Sequence, residues 1–176
     1  MEFWECLDSE RRPTGRVAER GNNLKKDEYH LVVHACIFSS DDCMLIQKRH
    51  PDKGLWPSLW DVTMGGSAVV GETSAEAAAR EISEEIGLTL DFHGKRPGLS
   101  VNYGNNFDDF YIIRWDGDIG SLKLQPDEVC EVRWADRDEI HGLIEAGAFV
   151  PYYHSLIDVL FDINRNENLI YRNGIK

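Results

Sequence analysis

The sequence predicts a fold of the α/β or α+β sandwich class, in which strands and helices share one hydrophobic core. Apolar, β-branched segments are typical of strands, and one long segment shows helical periodicity. The chain has 176 residues, of which 42% are hydrophobic, so it can bury one sizeable core. We therefore expect a single domain at residues 1–176, with its core at about 30–164, an N-terminal extension at 1–29 and a tail at 165–176.

The strands are predicted from runs of apolar and β-branched residues that end in turn residues. His30–Phe38 and residues 43–49 form a predicted strand pair, joined by a short polar turn. The polar segment 8–28 contains prolines and glycines and is predicted as turns that lead into the core. The remaining predicted strands are residues 60–64, Leu99–Tyr103, residues 107–115 and residues 129–134.

The helix with the strongest signals follows Thr73. Thr73 and Glu76 form a capping-box pattern, and apolar residues then recur at helical spacing. Gly87 stands where a left-handed residue ends such a helix. Two further helices are predicted at residues 136–146 and 152–164, and the polar residues from Arg165 onward give no prediction.

Charge and composition exclude several classes of partner. The chain carries 31 acidic and 19 basic residues, and its formal charge of -12 repels nucleic-acid polymers and anionic membranes. A small phosphorylated ligand is compatible with this charge, because bound cations reverse the local potential of carboxylates. The four cysteines lack the spacing of a zinc site or a disulfide scaffold, and no segment approaches the roughly 20 apolar residues of a membrane span. We expect a cytoplasmic protein without a nucleic-acid or membrane partner.

Three carboxylates share one face of the predicted helix. Glu84 lies about 60° to one side of Glu81 and Glu85 about 40° to the other, at the edge of the apolar stripe. Arg80 can pair with Glu84, but one guanidinium cannot neutralise three carboxylates. Hard oxygen donors of this kind suit Mg2+ or Mn2+. The face therefore predicts either a divalent-metal site or an exposed Glu-rich helix, and its spacing alone does not separate the two.

The residues around this face favour the divalent-metal site over an exposed Glu-rich helix. From Gly66 to Leu88 the chain is GSAVVGETSAEAAAREISEEIGL, which fits the pattern Gx5Ex7REUxEExGU, U being a bulky aliphatic residue. Every defined position matches. The segment resembles the signature of the Nudix hydrolase family, and the resemblance implies an α/β/α sandwich with a mixed β-sheet.

The resemblance also assigns roles to residues. It implies that Glu81, Glu84 and Glu85 bind Mg2+, aided by a backbone carbonyl near Gly65. Arg80 and Glu72 are implied to orient these carboxylates. The general base that accepts the proton of the attacking water is left open between Glu85, Glu81 and the loop carboxylate Glu128.

Residues 30–145 resemble the family branch related to isopentenyl-diphosphate isomerase. Arg49 and Lys53 match the positions that contact the diphosphate in that branch, so they are the predicted substrate-binding residues. The isomerase carries a cysteine and a histidine just before the helix, where this chain has Gly65 and Ser67. This departure favours hydrolysis over isomerisation.

The prediction is a Mg2+-dependent enzyme, with Mn2+ as an alternative metal, that cleaves a pyrophosphate bond in a nucleoside-diphosphate-linked or related small substrate. Two alternatives stay open: an isomerase-like enzyme acting on an allylic diphosphate, and a non-catalytic nucleotide-binding module. The N-terminal extension and the tail could cover the substrate or form a homodimer contact, and the sequence does not decide between these roles.

Overall fold

The structure is a computed structural model that describes residues 2–21 and 24–166. Its strands are β1 (Phe3–Leu7), β2 (Pro13–Glu19), β3 (His30–Phe38), β4 (Met44–Arg49), β5 (Trp60–Asp61), β6 (Met64–Ser67), β7 (Leu99–Tyr103), β8 (Asn106–Arg114) and β9 (Val129–Ala135). Its helices are α1 (Ser74–Ile86), α2 (Arg137–Glu145) and α3 (His154–Asn166), with a short 3-10 turn at Ile119–Ser121. Most predicted elements are thereby confirmed. The residues after 166, which gave no prediction, lie outside the described part.

Within the described residues, seven strands form one mixed sheet around β3. The order is β5-β4-β3-β8-β7, with β6 also paired to β3 and β9 to β4. The β3–β8 pair is parallel, and every other pair in this sheet is antiparallel. The predicted fold class is confirmed, including the mixed sheet.

Helices cover both faces of this sheet and form two cores. On one face, apolar residues of α1 pack on β3, β4 and β8, with Val33, Ile37, Leu45, Ala78 and Ile82 among the buried side chains. On the other face, α2 and α3 supply Ile140, Ile157 and Phe161, which pack against Phe38 and Ile46. Alternate residues of each strand therefore serve opposite cores, which is why β3 is apolar almost throughout.

The chain between β4 and α1 differs from the predicted single strand at residues 60–64. β3 and β4 pair only at Phe38 and Met44, and beyond that point they separate. β5 pairs with β4 and β6 pairs with β3, so the chain crosses from one strand to the other at Thr63. The Thr63 hydroxyl donates to the Leu45 carbonyl and accepts from the Ile37 N–H. The Thr63 side chain thus takes the place of backbone hydrogen bonds between β3 and β4. The alternation of apolar and polar residues in the sequence does not predict such a crossing.

The prediction of turns for segment 8–28 was wrong in part. β2 pairs antiparallel with β1 and forms a two-stranded hairpin that is separate from the main sheet. Leu7 also forms an isolated bridge to Tyr29, which joins the hairpin to the start of β3. β2 is a mostly exposed edge strand, so it lacks the apolar alternation from which strands are predicted.

An ion pair fastens this hairpin to the segment before β3. Arg16 Nε donates to Glu28 Oε1 at 2.7 Å, and a second guanidinium nitrogen donates to Glu28 Oε2. The backbone N–H of Lys25 also donates to Glu28 Oε2, at 2.8 Å. The hydrogen bonds from Arg16 lower the pKa of Glu28 from 4.5 to about 2.

Glu28→Gln is expected to destabilise the protein in a pH-dependent way. A carboxylate whose pKa is lowered by folding stabilises the native state above its ordinary pKa, and this contribution disappears as the pH falls through about 2. The variant should therefore melt below the wild type at pH 7, with the gap closing between about pH 4.5 and 2. Thermal unfolding across this range, with Glu10→Gln as a control for a lost surface carboxylate, tests it. A gap that does not change with pH would contradict this role for Glu28.

Candidate metal and phosphate site

The acidic helix α1 is fixed at both ends by the predicted caps. The Thr73 hydroxyl accepts from the Glu76 N–H, and the Glu76 side chain accepts from the Thr73 N–H, so the capping box is confirmed. Gly87 adopts the left-handed conformation with φ 68°, and a Cβ there would lie 2.8 Å from Lys123 Cβ. Both caps fix the rotation of α1, and with it the direction of its carboxylates.

Glu81 lies in a space that a glycine provides. A Cβ on Gly66 would be 2.3 Å from Glu81 Oε1, so any larger residue there would displace the carboxylate. Only 13% of the Glu81 side chain is exposed. Burial raises the pKa of Glu81, although the positive charge of Arg80 opposes this increase. The first glycine of the motif is thus explained by the carboxylate that it accommodates.

Glu85 is the most deeply buried of the three carboxylates. Its residue is 5% exposed, and its Oε2 accepts a hydrogen bond of 3.0 Å from Gln47 Nε2 on β4. Burial raises the pKa of Glu85 to about 7, while the hydrogen bond from Gln47 opposes this shift. In the described part of the chain, Gln47 Oε1 is buried without a hydrogen-bond partner. The helix therefore holds a carboxyl group that titrates near neutral pH.

Arg80 joins the carboxylates of the motif. Its Nε lies 2.7 Å from Glu72 Oε1, and its Nη1 lies 3.0 Å from both Glu81 Oε1 and Glu84 Oε2. Its Nη2 donates to the Ser67 carbonyl at 3.1 Å. The hydrogen bonds that Arg80 donates to Glu72 raise the pKa of Arg80 further, so the guanidinium stays charged. This geometry supports the orienting role that the sequence predicted for Arg80.

Glu72 connects Arg80 to the loop before α1. Burial alone would raise the pKa of Glu72, but hydrogen bonds from Arg80 and from the Val69 N–H lower it. The Val69 N–H donates to Glu72 Oε2 at 3.0 Å. The loop and the helix are therefore held together through one carboxylate.

Gly65 lies on β6 directly opposite His34 of β3. A Cβ on Gly65 would lie 3.2 Å from His34 Nδ1, so the imidazole borders the space beside this position. The His34 ring stacks on Phe110 with 4.3 Å between ring centroids, and its Nε2 is 2.9 Å from Asp108 Oδ1. Neither His34 nor Asp108 was predicted as a site residue from the sequence, because a histidine within an apolar strand is usually part of the core.

The predicted substrate-binding cations are both paired with carboxylates. Arg49 Nη1 lies 3.1 Å from Asp61 Oδ2, and Asp61 is buried and also accepts a hydrogen bond from Tyr152. Lys53 forms an ion pair with Glu128, the predicted loop carboxylate. Asp61 was not predicted from the sequence, although a charged residue between the apolar residues Trp60 and Val62 is a signal of a buried polar group.

The donor set suits a hard divalent cation. Glu81, Glu84 and Glu85 offer only carboxylate oxygens, and a cation near Glu85 would favour its ionised form against the cost of burial. Among residues 2–21 and 24–166, no three His, Cys, Asp or Glu side chains are grouped closely enough to hold a metal ion, so the three predicted carboxylates do not form a complete ligand cage by themselves. Mg2+ does not need such a cage, since it commonly combines one or two carboxylates with water and substrate phosphates. The residues therefore fit Mg2+ or Mn2+.

The chain matches one known protein family over most of its length. Residues 28–155 match the profile of the NUDIX domain, which is more than half of the chain. The chain belongs to the Nudix family. An uncharacterized Nudix hydrolase of Listeria monocytogenes is 40% identical over 163 residues, covering 93% of this chain and 95% of the relative. The predicted membership of the Nudix hydrolases, and the prediction of an enzyme, are confirmed.

Two more distant similarities agree with this Nudix assignment. The isopentenyl-diphosphate Delta-isomerase of Escherichia coli is 24% identical over 156 residues, covering 83% of this chain and 84% of the isomerase. The structure of the protein DR0079 of Deinococcus radiodurans matches with a TM-score of 0.73 and 23% identity, covering 90% of this chain and 97% of that one. The first shows the similarity to the isomerase branch, and the second shows the shared Nudix fold.

The helices of this Nudix protein give no membrane segment. Within the described ranges, none has both the length and the apolar character that a membrane span requires.

Gly66→Ala is expected to weaken divalent-metal binding while the protein remains folded. The new Cβ must displace the Glu81 carboxylate, a flexible side-chain end, so the backbone of β6 can stay in place. Misplacing one carboxylate should lower the affinity for Mn2+ about 10- to 100-fold in calorimetric titration. Gly142→Ala is the matched control, since a Cβ there meets nothing within 4 Å. Equal Mn2+ affinities of the two variants would contradict this role for Gly66.

Proposed function

We propose that this Nudix hydrolase is a Mg2+-dependent enzyme that cleaves a pyrophosphate bond in a nucleoside-diphosphate-linked or related small phosphorylated substrate. The observation that carries the proposal is the set of carboxylates on α1. Glu81, Glu84 and Glu85 share one helix face, and Arg80 and Gly66 hold two of them in position. An acidic face with two largely buried carboxylates and one exposed carboxylate needs a positive counterion, and a diphosphate substrate binds metal cations.

Glu81, Glu84 and Glu85, with the carbonyl of Gly65, would hold the cation. When bound, it supplies charge neutralisation at the phosphate oxygens and lowers the pKa of a coordinated water. Mn2+ suits the same oxygen donors. The role of this chain is to keep the carboxylates ionised and aligned, which the hydrogen bonds of Arg80 and Gln47 support.

The general base is proposed among Glu85, Glu81 and Glu128. Glu85 and Glu81 are largely buried beside Gln47 and Arg80, so their orientation is restricted. Glu128 is paired with Lys53, which orients it but also neutralises part of its negative charge. We favour the helix carboxylates for this reason, with Glu128 as the third candidate.

Arg49 and Lys53 are proposed to bind the phosphate groups of the substrate. Both cations are largely buried, and the positive charge of Lys53 influences the pKa of Glu85, although burial is the larger cause of its shift. Guanidinium and ammonium groups form strong charge-assisted hydrogen bonds with phosphate oxygens, so both side chains are suited to bind the diphosphate. Because the net charge is -12, a small anion that brings its own counterions is favoured over a nucleic-acid polymer.

An isomerase-like activity is the second candidate, favoured by the similarity to isopentenyl-diphosphate isomerase. Such a reaction moves a proton on carbon and needs an acid/base group there. Gly65 and Ser67 stand where the resemblance places the cysteine and histidine for this step. Incubation with isopentenyl diphosphate distinguishes the reactions, because isomerisation gives an isomeric product without release of phosphate.

Glu85→Gln is expected to lower kcat at least about 100-fold, since the amide neither binds the cation as strongly nor accepts a proton. The measurement is a screen of dinucleotides, sugar nucleotides and nucleoside di- and triphosphates for released phosphate or pyrophosphate, with Mg2+, Mn2+ or EDTA. Release that needs the metal and disappears in the variant supports the proposal. Glu145→Gln, an exposed residue at the end of α2, is the control. A fully active Glu85→Gln enzyme would sink the assignment.

A further inference from the structure

The β1–β2 hairpin lies outside residues 28–155, the segment that matches the family, yet it is fastened to the candidate site. The Val70 N–H, in the loop before α1, donates to the Phe3 carbonyl at 3.1 Å. The Trp4 ring stacks on His30 at the start of β3, with 4.1 Å between ring centroids. The hairpin therefore packs against both the loop that leads into the acidic helix and the strand that pairs with β6.

The open end of this hairpin carries an ion pair between Glu2 and Arg20. The Arg20 N–H donates to the Glu2 carbonyl at 2.9 Å, and Arg20 Nη1 lies 2.5 Å from Glu2 Oε2. Glu2 precedes Phe3, whose carbonyl accepts the hydrogen bond from the Val70 N–H in the loop before α1. Burial lowers the pKa of Lys53, and the positive charge of Arg20 adds to that decrease. The pair therefore lies beside the loop that leads into the acidic helix, on the side of Lys53.

The cations around the site differ in how firmly they are held. The ion pair of Arg49 with Asp61 has side chains only 12% and 7% exposed, and that of Lys53 with Glu128 is 17% and 29% exposed. Arg20 is 55% exposed and its partner carboxylate 43%. Breaking a buried pair leaves an uncompensated charge, whereas an exposed pair contributes little to stability. Among Arg49, Lys53 and Arg20, Arg20 can therefore leave its carboxylate partner for an incoming anion at the smallest cost in free energy.

We propose that Arg20 binds a phosphoryl group of the substrate, and that Glu2 holds its guanidinium at the rim of the site until the substrate displaces it. The inference rests on the proposed function, because it takes the substrate to be a diphosphate. A guanidinium offers several N–H donors to phosphate oxygens, and opposite charges strengthen these hydrogen bonds. The N-terminal hairpin then forms part of the substrate site, with Arg20 determining specificity for the anionic group.

The test compares Arg20→Ala, Arg20→Lys and Glu2→Gln with the wild type on the substrate found in the screen. Arg20→Ala should raise KM at least about tenfold and change kcat less than about twofold, because the lost contact binds the substrate and does not take part in bond cleavage. Arg20→Lys should recover part of the loss, since it keeps the charge. Glu2→Gln should lower KM about two- to threefold, because it frees the guanidinium.

Arg12→Ala is the matched control. Arg12 lies in the turn of the same hairpin, at the opposite end from Arg20, is 66% exposed and pairs with Asp8 and Glu10. Its removal should leave KM and kcat unchanged. Thermal unfolding of Arg20→Ala and Arg12→Ala should agree closely, because each variant loses only exposed ion pairs.

A binding measurement separates this inference from the proposed function. Calorimetric titration with imidodiphosphate, a non-hydrolysable analogue of pyrophosphate, in the presence of Mg2+ should show the same tenfold loss in Arg20→Ala and none in Arg12→Ala. Metal-dependent turnover by the wild type, with KM and imidodiphosphate affinity unchanged in Arg20→Ala, would overturn the role of Arg20 alone. A loss of kcat at unchanged KM would also overturn it. A wild type that neither turns over any diphosphate nor binds imidodiphosphate would overturn both proposals.

Discussion

The arrangement of the candidate site depends on the position of one guanidinium. Arg80 contacts Glu72, Glu81, Glu84 and the carbonyl of Ser67, so it links the loop before α1, the helix and the last residue of β6. Carboxylates three and four residues apart on a helix repel one another, and the repulsion grows as water is excluded. Arg80 offsets part of this repulsion, and its planar fork fixes the direction of each carboxylate that it contacts.

The sheet supplies the other half of the site through the separation of β3 from β4. Because these strands pair only at their ends, Gln47 can reach Glu85 from β4 while His34 borders Gly65 from β3. The crossing at Thr63 fills the gap and satisfies backbone groups of both strands. If β3 and β4 paired along their whole length, β6 could not pair with β3 and β5 could not pair with β4 as they do. The separation of the two strands therefore allows β6, with Gly65 and Gly66, to lie beside the acidic helix.

The sequence allowed the fold class and the site helix to be predicted, because their signals are local. The capping box at Thr73, the stop at Gly87 and the spacing of Glu81, Glu84 and Glu85 all lie within one segment. The hairpin strand β2 was missed, since an exposed edge strand carries no apolar alternation.

The contacts that the sequence left unpredicted all join distant segments. The Gln47–Glu85 bond, the pairing of Arg49 with Asp61, and the bond of the Val70 N–H to the Phe3 carbonyl link residues whose relation only the tertiary structure defines. Periodicity indicates the face on which a residue lies but not its partner across the core.

The parallel pairing of β3 with β8 has a consequence for the order in which the protein assembles. His30 lies opposite Asn106 in this pair, so a long stretch of chain must close before the centre of the sheet exists. Helix α1 needs only contacts within its own segment to begin, and local elements form faster than contacts of high sequence separation. We therefore expect the acidic face to form while water still solvates each carboxylate, so that the free-energy cost of burying Glu85 arises only when the sheet closes over the helix.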